Sequence, residues 1–446
     1  MDFSTYQAHV LSVADTADYQ HEQVAMLGIG AHIGALLDAQ QRYLRDAIAV
    51  GTSTTLMARE LGEVLRWCAH LATHHHINLD EVALLNLQKV DARALALGSP
   101  PIPTFNAADA ADIRKFQELA LHTDQQVQDG VDPLGLGVPI LGLAGEAGNL
   151  MVEMKKRYRG DSEIPDWVRL VEYEIGDLLW YSAALASHLD IDLNEIASSD
   201  VQRAQRSRAV LTVMSEQELS ALPVLDDKYP ATERFPRKLL LRFQEQKNQG
   251  NPLVTMTLVD ASPNAYPDGP ASLPNGKPRG FELGASLGDK VTNNSYVDDR
   301  YRYHDAIHLG FLAVMGWSPN LRNLLRLKRK SDPLVDENED GARAIFAEEG
   351  LAAVLAKRAD DYQRFANTRL VPEDLIDLIT TVLEDLEVSS MPAWLWREAV
   401  SQGFNVMQQL STGRGGYVTA DLDSRSLTYS KLPPRTAAID SVGEPA

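Results

Sequence analysis

The chain repeats itself once. Residues 27–45 read LGIGAHIGALLDAQQRYLR and residues 141–159 read LGLAGEAGNLMVEMKKRYR, an offset of 114. At the same offset Glu60-Leu61-Gly62-Glu63 lies over Glu174-Ile175-Gly176-Asp177. His74, Ile77, Leu79, Glu81, Ala83 and Gln88 match His188, Ile191, Leu193, Glu195, Ala197 and Gln202. A register held without a gap over this length marks an architectural repeat. It assigns residues 1–98 and 106–210 to two copies of one domain, joined by a Pro-rich loop at 98–104.

Each copy reads as helical. Leu143, Glu146, Leu150 and Glu153 recur at steps of three and four, as do Val171, Glu174, Leu178 and Tyr181, which is the period of an amphipathic helix. The pattern predicts opening helices over 2–17 and 108–128 and a short last helix capped by Asp192, with Glu195 at its third position. Four short helices per copy bury more apolar surface when paired, so the copies are expected to pack as an internal pseudo-dimer.

The texture then changes. Pro, Gly and Asn cluster at 260–280, and 211–300 reads as an irregular linking region with short strands around Leu253–Leu258. Helices are predicted at 301–315, 318–329, 338–361, 372–387 and 393–410, giving a helical C-terminal domain over 301–430. The end of that domain reads as loop or extended chain, and 431–446 as a flexible tail. The fold class is mainly α.

Composition limits the functions. A net charge of −20 argues against coating of nucleic acid or anionic membranes, though not against a local basic pocket. The single cysteine, Cys68, excludes a disulfide framework and a multi-cysteine metal site. No apolar run approaches the roughly 20 residues of a membrane span. The first residues lack a secretory pattern, so a cytoplasmic address is expected.

The chemistry is densest in the second copy. Glu174 and Asp177 lie one turn apart on one helix face, and Glu146 and Glu153 two turns apart on another. Four carboxylates converging between two helices repel one another unless a cation joins them, and such hard oxygens suit Mg²⁺ or Mn²⁺. Solvated surface acids are the plain alternative. Gly145, Gly148 and Gly176 would let the helices approach. Lys156 follows the acids and Arg203 comes later, and a metal with basic side chains is one way to hold a polyphosphate. No Gly-rich phosphate loop is present. Gln117, His122, Trp180 and Tyr181 are candidates for base selection.

The run LGLAGEAGNL, the lysine pair and EIGDLLWYSAALASHLDIDLNEIA resemble the MazG-like all-alpha nucleoside triphosphate pyrophosphohydrolases, which include the dimeric dUTPases and dCTPases. The resemblance covers about 100 residues. It implies Mg²⁺-dependent cleavage of a nucleoside triphosphate between the α and β phosphates, giving a monophosphate and pyrophosphate. The family's first Glu-x-x-Glu motif departs here, Glu146 being followed by Asn149, and Glu153 is the expected replacement ligand. The second motif stands as Glu174 and Asp177. A downstream Asn and Lys of the family fall on Asp200 and Arg203. In the first copy His32, Ala35 and Ala39 replace Glu146, Asn149 and Glu153, so that copy reads as a dead metal site. It nevertheless holds Asn86, Lys89 and Arg93, which match the family's closing stretch. Family sites sit at subunit interfaces, which implies that the first copy lends Lys89 and Arg93 to ligands of the second.

The C-terminal part carries its own signal. Asp305 and His308 share a helix face with His304 beside them, and Glu348 and Glu349 follow on a later helix. Arg322, Arg326, Lys328, Arg329 and Lys330 read as a basic patch. The segment resembles the C-terminal region of some MazG-like proteins. Asp305, His308, Glu348 and Glu349, with the acidic pair Glu384-Asp385, could build a second hydrolytic metal site, with Arg322 and Lys328 on phosphates. Buried salt bridges are the plain alternative. The triplet His74-His75-His76 reads as a helix end rather than a metal site. Three functions follow: a pyrophosphohydrolase, a non-catalytic nucleotide sensor, or a hydrolase whose site lies in the C-terminal domain. A homo-oligomer beyond the internal pair is compatible with each.

Overall fold

The computed structural model describes residues 1–13, 21–46, 50–124, 135–160, 166–208, 222–248, 251–272, 276, 278–293, 296 and 298–434. The chain divides into two compact units, Met1–Arg208 and Ala209–Ala446. No helix among the described residues is long and apolar enough to cross a membrane.

The first unit contains α1 (Phe3–Val13), α2 (Glu22–Asp46), α3 (Val50–His74), α4 (Leu79–Ala96), α5 (Ala107–Ala111), α6 (Ile113–Leu121), α7 (Gly137–Arg159), α8 (Trp167–His188) and α9 (Leu193–Arg208). The helix expected over 108–128 is broken at Asp112. That residue is extended, bridges to Asp2, and caps α6 by accepting from Lys115 N at 2.9 Å. The expected continuations past Val13 and past Asp124 fall outside the described residues.

The repeat is fastened the same way twice. Asn78 caps α4 by accepting from Asp80 N at 2.8 Å, and Asp192 caps α9 by accepting from Asn194 N at 2.8 Å. The Gln7 amide donates to Ile77 O at 3.0 Å and accepts from Leu79 N, while Gln117 donates to Ile191 O at 2.9 Å and accepts from Leu193 N. Gln117 is therefore a brace at a helix start, not a group free to read a base.

Helices α2 and α7 pack together, as do α3 and α8, which are counterparts in the repeat. Helix α4 lies on α8, and its counterpart α9 lies on α3. The close approaches are also paired. A Cβ on Gly176 would stand 3.2 Å from Asn86 Cβ, and one on Gly62 would stand 3.1 Å from Asp200 Cβ. Gly176 thus makes room for α4. Gly145 and Gly148, expected to admit the facing helix, have nothing within 4 Å of such a Cβ. One apolar core takes Phe3, Leu61 and Leu87 from the first copy and Phe116, Leu178 and Leu193 from the second. Each such side chain contributes about 1.5–3 kcal/mol by leaving water.

The second unit is mixed. It contains β1 (Lys238–Asn248), β2 (Asn251–Ser262), β3 (Ala271–Ser272), β4 (Pro278–Arg279), β5 (Ser286–Val291), α10 (Asp305–Met315), α11 (Pro319–Leu324), α12 (Pro333–Asn338), α13 (Ala342–Arg358), α14 (Glu373–Val382), α15 (Ala393–Gly413), β6 (Gly415–Asp421) and β7 (Ser426–Ser430). The main sheet is antiparallel in the order β5-β2-β1-β6-β7. Strands run well beyond Leu253–Leu258, and the stretch read as loop or extended chain before residue 430 supplies two of them. Alternation explains β1: Leu239, Leu241 and Phe243 are buried together on one face. Helix α10 is buried along its whole length and packs on α15. Gly310 and Gly403 permit this, since a Cβ on Gly310 would meet Ala399 O at 2.5 Å.

Three expectations here need correction. The helix predicted over 318–329 stops at Leu324, and Glu384 lies in a turn past α14 rather than on an acidic helix. Two of the five residues of the basic patch, Arg322 and Arg329, are internal, while Arg326 and Lys330 are exposed. Arg322 is 3% exposed and donates to Glu233 O at 2.6 Å and Asp226 Oδ2 at 3.1 Å. Arg329 is 1% exposed and pairs with Asp340 and Glu387. Buried guanidinium groups keep their charge only with such partners. These two cannot offer themselves to a phosphate, and Lys328 is half-buried between them in sequence.

Candidate functional site

In the first unit a cleft of about 380 Å³ opens beside α8. Glu146 and Asp177 line it from the second copy, with Tyr173, Trp180 and Tyr181. Lys89 and Arg93 line it from α4 of the first copy. The Asn86 amide donates to Asp177 Oδ1 at 2.9 Å, and the Lys89 ammonium pairs with the same oxygen. Lys89 also stands 3.6 Å from the Tyr173 ring centroid. Trp180 is oriented by donating to Thr123 Oγ1 at 2.9 Å.

Glu174, one turn before Asp177 on α8, is half-buried and does not line the cleft. Burial, then the charge and hydrogen bonding of Glu146, then Asp177, raise its pKa to about 7. Lys89 pulls the other way without prevailing. Glu174 Oε2 is buried with no hydrogen-bond partner. Three carboxylates thus crowd one place with less positive charge than they need.

The other sequence-predicted groups lie elsewhere. Glu153, seven residues past Glu146, is about 10 Å further along the helix axis and pairs with Lys156 at 2.5 Å. Neither lines the cleft. Asn149 is exposed and donates to Glu146 Oε2 at 3.1 Å. His122 ends α6 and does not line the cleft.

Arg203 occupies the equivalent place in the other half of the unit. It donates to Asp200 Oδ1 at 2.7 Å and Glu63 Oε1 at 3.2 Å. Arg66 also pairs with Glu63 and reaches Asp200 at 3.5 Å. His32 Nδ1 meets Glu60 Oε2 at 2.8 Å. Burial alone would raise the Glu63 pKa, but Arg66, His32 and Arg203 hold it below its ordinary value. Burial raises Asp200 to about 6, with Arg66 opposing. Here internal cations neutralise the acids of the other half of the unit.

Two sets of three His and Glu side chains bring ligand atoms within 4.8 Å of one another among the described residues: Glu22 with His74 and His75, and His304 with His308 and Glu349. The first was not legible in the histidine triplet, because Glu22 arrives from α2. Its carboxylate accepts from Arg157 at 2.9 Å and meets His75 Nε2 at 2.8 Å, and Trp167 donates to it at 2.5 Å. Its oxygens are already well supplied with donors.

The second cluster lies in the second unit. His308 Nε2 is 3.5 Å from Glu349 Oε1, and His304 Nε2 is 3.7 Å from Glu349 Oε2. Burial lowers the His308 pKa, but Glu348 and Glu349 outweigh it and raise it to about 10. Burial holds His304 below its ordinary value, against Asp305. Glu348, expected as a ligand, instead takes His308 Nδ1 at 2.8 Å, Ser318 Oγ at 2.6 Å and Asn320 N at 2.7 Å. Asp305 is buried at the start of α10. Arg322 and Lys328 are not part of this group.

Comparison with known proteins bears on part of the chain. A 73-residue stretch, 16% of the chain, is 36% identical to the Gene 37 protein of Mycobacterium phage L5 and covers 64% of it. The chain therefore spans less than two thirds of that relative's length. No solved structure matches. Residues 278–433 match the MazG C-terminal domain family, so the second unit carries a MazG-associated C-terminal domain.

Proposed function

We propose that the first unit is a Mg²⁺- or Mn²⁺-dependent nucleoside triphosphate pyrophosphohydrolase, built from two MazG-like copies paired as an internal pseudo-dimer. The observation that carries this reading is the convergence of Glu146 and Asp177 with Lys89 and Arg93 around one cleft, with Glu174 close enough to feel the charge of both acids. The reciprocal packing of α4 on α8 and α9 on α3 supports the pairing. The MazG-associated domain in the second unit supports the family context.

The residues fit a hard divalent cation. Glu174 Oε2 is a buried acceptor with no donor, and all three candidate ligands offer carboxylate oxygen. Glu146, Glu174 and Asp177 would hold the ion, without Glu153. When bound, it supplies charge neutralisation and a water of lowered pKa. Lys89 and Arg93 clamp the phosphates, and Lys89 would exchange Asp177 for a phosphate oxygen as substrate enters. Trp180 and Tyr181 offer ring faces for a base. In the reaction the water oxygen bonds to the α phosphorus while the bond to the bridging oxygen breaks. Pyrophosphate leaves, and Glu146, half-exposed at the cleft, accepts the water proton.

Purified chain assayed on canonical and modified nucleoside triphosphates with Mg²⁺ and Mn²⁺ should release equal monophosphate and pyrophosphate. Tight binding without turnover would favour the sensor reading. Turnover that survives loss of Asp177 would move the chemistry to the second unit.

A further inference from the structure

We propose that His304, His308 and Glu349 form a three-ligand site for a zinc-class divalent ion, distinct from the carboxylate site of the first unit. The two histidines are four residues apart across the start of α10, the spacing that puts two ring nitrogens on one helix face. Glu349 comes from α13, so the ion would join two helices. The three ligand atoms lie within 4.8 Å of one another. Bonds of about 2.0–2.1 Å at tetrahedral angles place ligand atoms about 3.4 Å apart. The observed 3.5 and 3.7 Å from Glu349 to the two rings are close to that separation.

The atoms behind the ligands are set for metal. His308 Nδ1 rests on Glu348 Oε1 at 2.8 Å, and His304 Nδ1 on Tyr301 O at 3.1 Å. With Nδ1 engaged in this way each ring presents Nε2 to the cluster, and a bound ion would displace any proton held there. Ser318 and Asn320 N fix Glu348, and the Asn320 amide holds Glu349. The Tyr301 ring stacks on His304 at 4.4 Å between centroids. The independent sign of a ligand is His308 Nε2. It belongs to a fully buried side chain and makes no hydrogen bond, its nearest acid oxygen on Glu349 standing off at 3.5 Å, a gap that a coordinated ion would fill.

Two imidazoles and one carboxylate favour zinc over magnesium, which prefers oxygen. Three protein ligands leave one position for water, and Glu349, 39% exposed, marks the side from which it enters. Asp305 follows the first histidine, where His-Glu-x-x-His sites carry their base.

The test is metal binding by the full chain in an Asp177→Asn background, which disables the first unit's proposed site. After chelation and dialysis, Zn²⁺ is titrated against a chromophoric chelator, and Co²⁺ is added in parallel for its visible spectrum. One equivalent should bind, and bound Co²⁺ should show the intense bands of a four-coordinate ion. His304→Gln should weaken binding by at least about 100-fold. Glu349→Gln, at a partly exposed carboxylate, should fold normally and weaken it by at least about 10-fold. Glu348→Gln should fall between these, as outer-shell changes cost about 10–100-fold. His75→Ala should leave the stoichiometry unchanged, separating this cluster from the one at Glu22. Absence of stoichiometric binding in folded protein, or binding indifferent to both His304→Gln and Glu349→Gln, would overturn the assignment and leave a buried ion pair.

Discussion

The side-chain amide of Asn86 donates to Asp177 Oδ1 at 2.9 Å, joining residues 91 positions apart. The contact brings the last helix of the first copy onto the second copy's most acidic helix. It makes Asp177 the meeting point of a candidate metal ligand set and the Asn86, Lys89 and Arg93 side. Asp177→Asn should therefore lower Mg²⁺-dependent pyrophosphate release by at least about 100-fold, since ion and clamp are each worth several kcal/mol in the transition state. The fold should survive, because an amide oxygen still accepts from Asn86 and repulsion with Glu174 falls. Glu63→Gln, in the half where His32 and Arg203 stand on the acids, should cost far less activity. Pyrophosphate assays with circular dichroism check both; full activity in Asp177→Asn would refute catalysis in this cleft.

Glu174 predicts a pH signature. Its folded pKa of about 7 lies above the ordinary value of 4.5, so the folded state holds the extra proton between these values. Stability attributable to this group is greatest below about 4.5 and is lost as pH rises through 7. In chelator, wild type should lose melting temperature from pH 5 to pH 8 relative to Glu174→Gln. Comparison between the two proteins removes the contribution of Asp200, whose pKa is also raised. Mg²⁺ should restore the wild type more at pH 8 than at pH 5, because ion and proton compete. Parallel melting curves at every pH would exclude the effect.

Asn149 and Glu153 separate two accounts of the departed first motif. Asn149 donates to Glu146, whereas Glu153 is engaged by Lys156. Asn149→Asp exchanges a donor for an acceptor beside the cluster and should tighten Mg²⁺ binding several-fold. Glu153→Gln should change it by less than about threefold, for the rise per residue places this group too far along α7 to share an ion with Glu174. Calorimetric titration with Mg²⁺ measures both. A large loss in Glu153→Gln would return that residue to the ligand set.

The helices of the first unit were legible because Leu143, Leu150, Val171 and Leu178 keep a helical period and all four are buried. The acids of α8 and the basic residues of α4 were legible as one-turn spacings. The destination of Arg203 was not. A repeat in sequence says which positions correspond, but not which copy each side chain faces. The sheet was obscured for another reason. Strand β6 pairs with β1 across 183 positions at Lys238 and Asp421, so no local pattern announces it. Arg322 and Arg329 looked like surface charge because Asp226 and Glu387, 96 and 58 positions away, are visible only in the fold. Glu22 reaches His75 across 53 positions in the same way.

Lys89 and Arg203 hold the same place in the repeat and should fail in opposite ways. Lys89 stands at the cleft on Asp177, with both side chains partly exposed. Losing it would remove the proposed phosphate clamp but strand little buried charge. Lys89→Met should leave the melting temperature within a few degrees and lower kcat/KM by at least about 10-fold, mostly through a transition-state contact. Arg203 instead neutralises Asp200, whose side chain is fully buried, and Glu63, which is nearly so. Removing one partner of a buried pair typically costs about 3–5 kcal/mol, reduced here because Arg66 also serves both acids. Arg203→Met should thus lower the melting temperature clearly while the folded fraction retains near-normal kcat/KM. Thermal melts and steady-state kinetics on the two variants give four numbers. Loss of activity in folded Arg203→Met, or a stable and fully active Lys89→Met, would reverse the assignment of the working half.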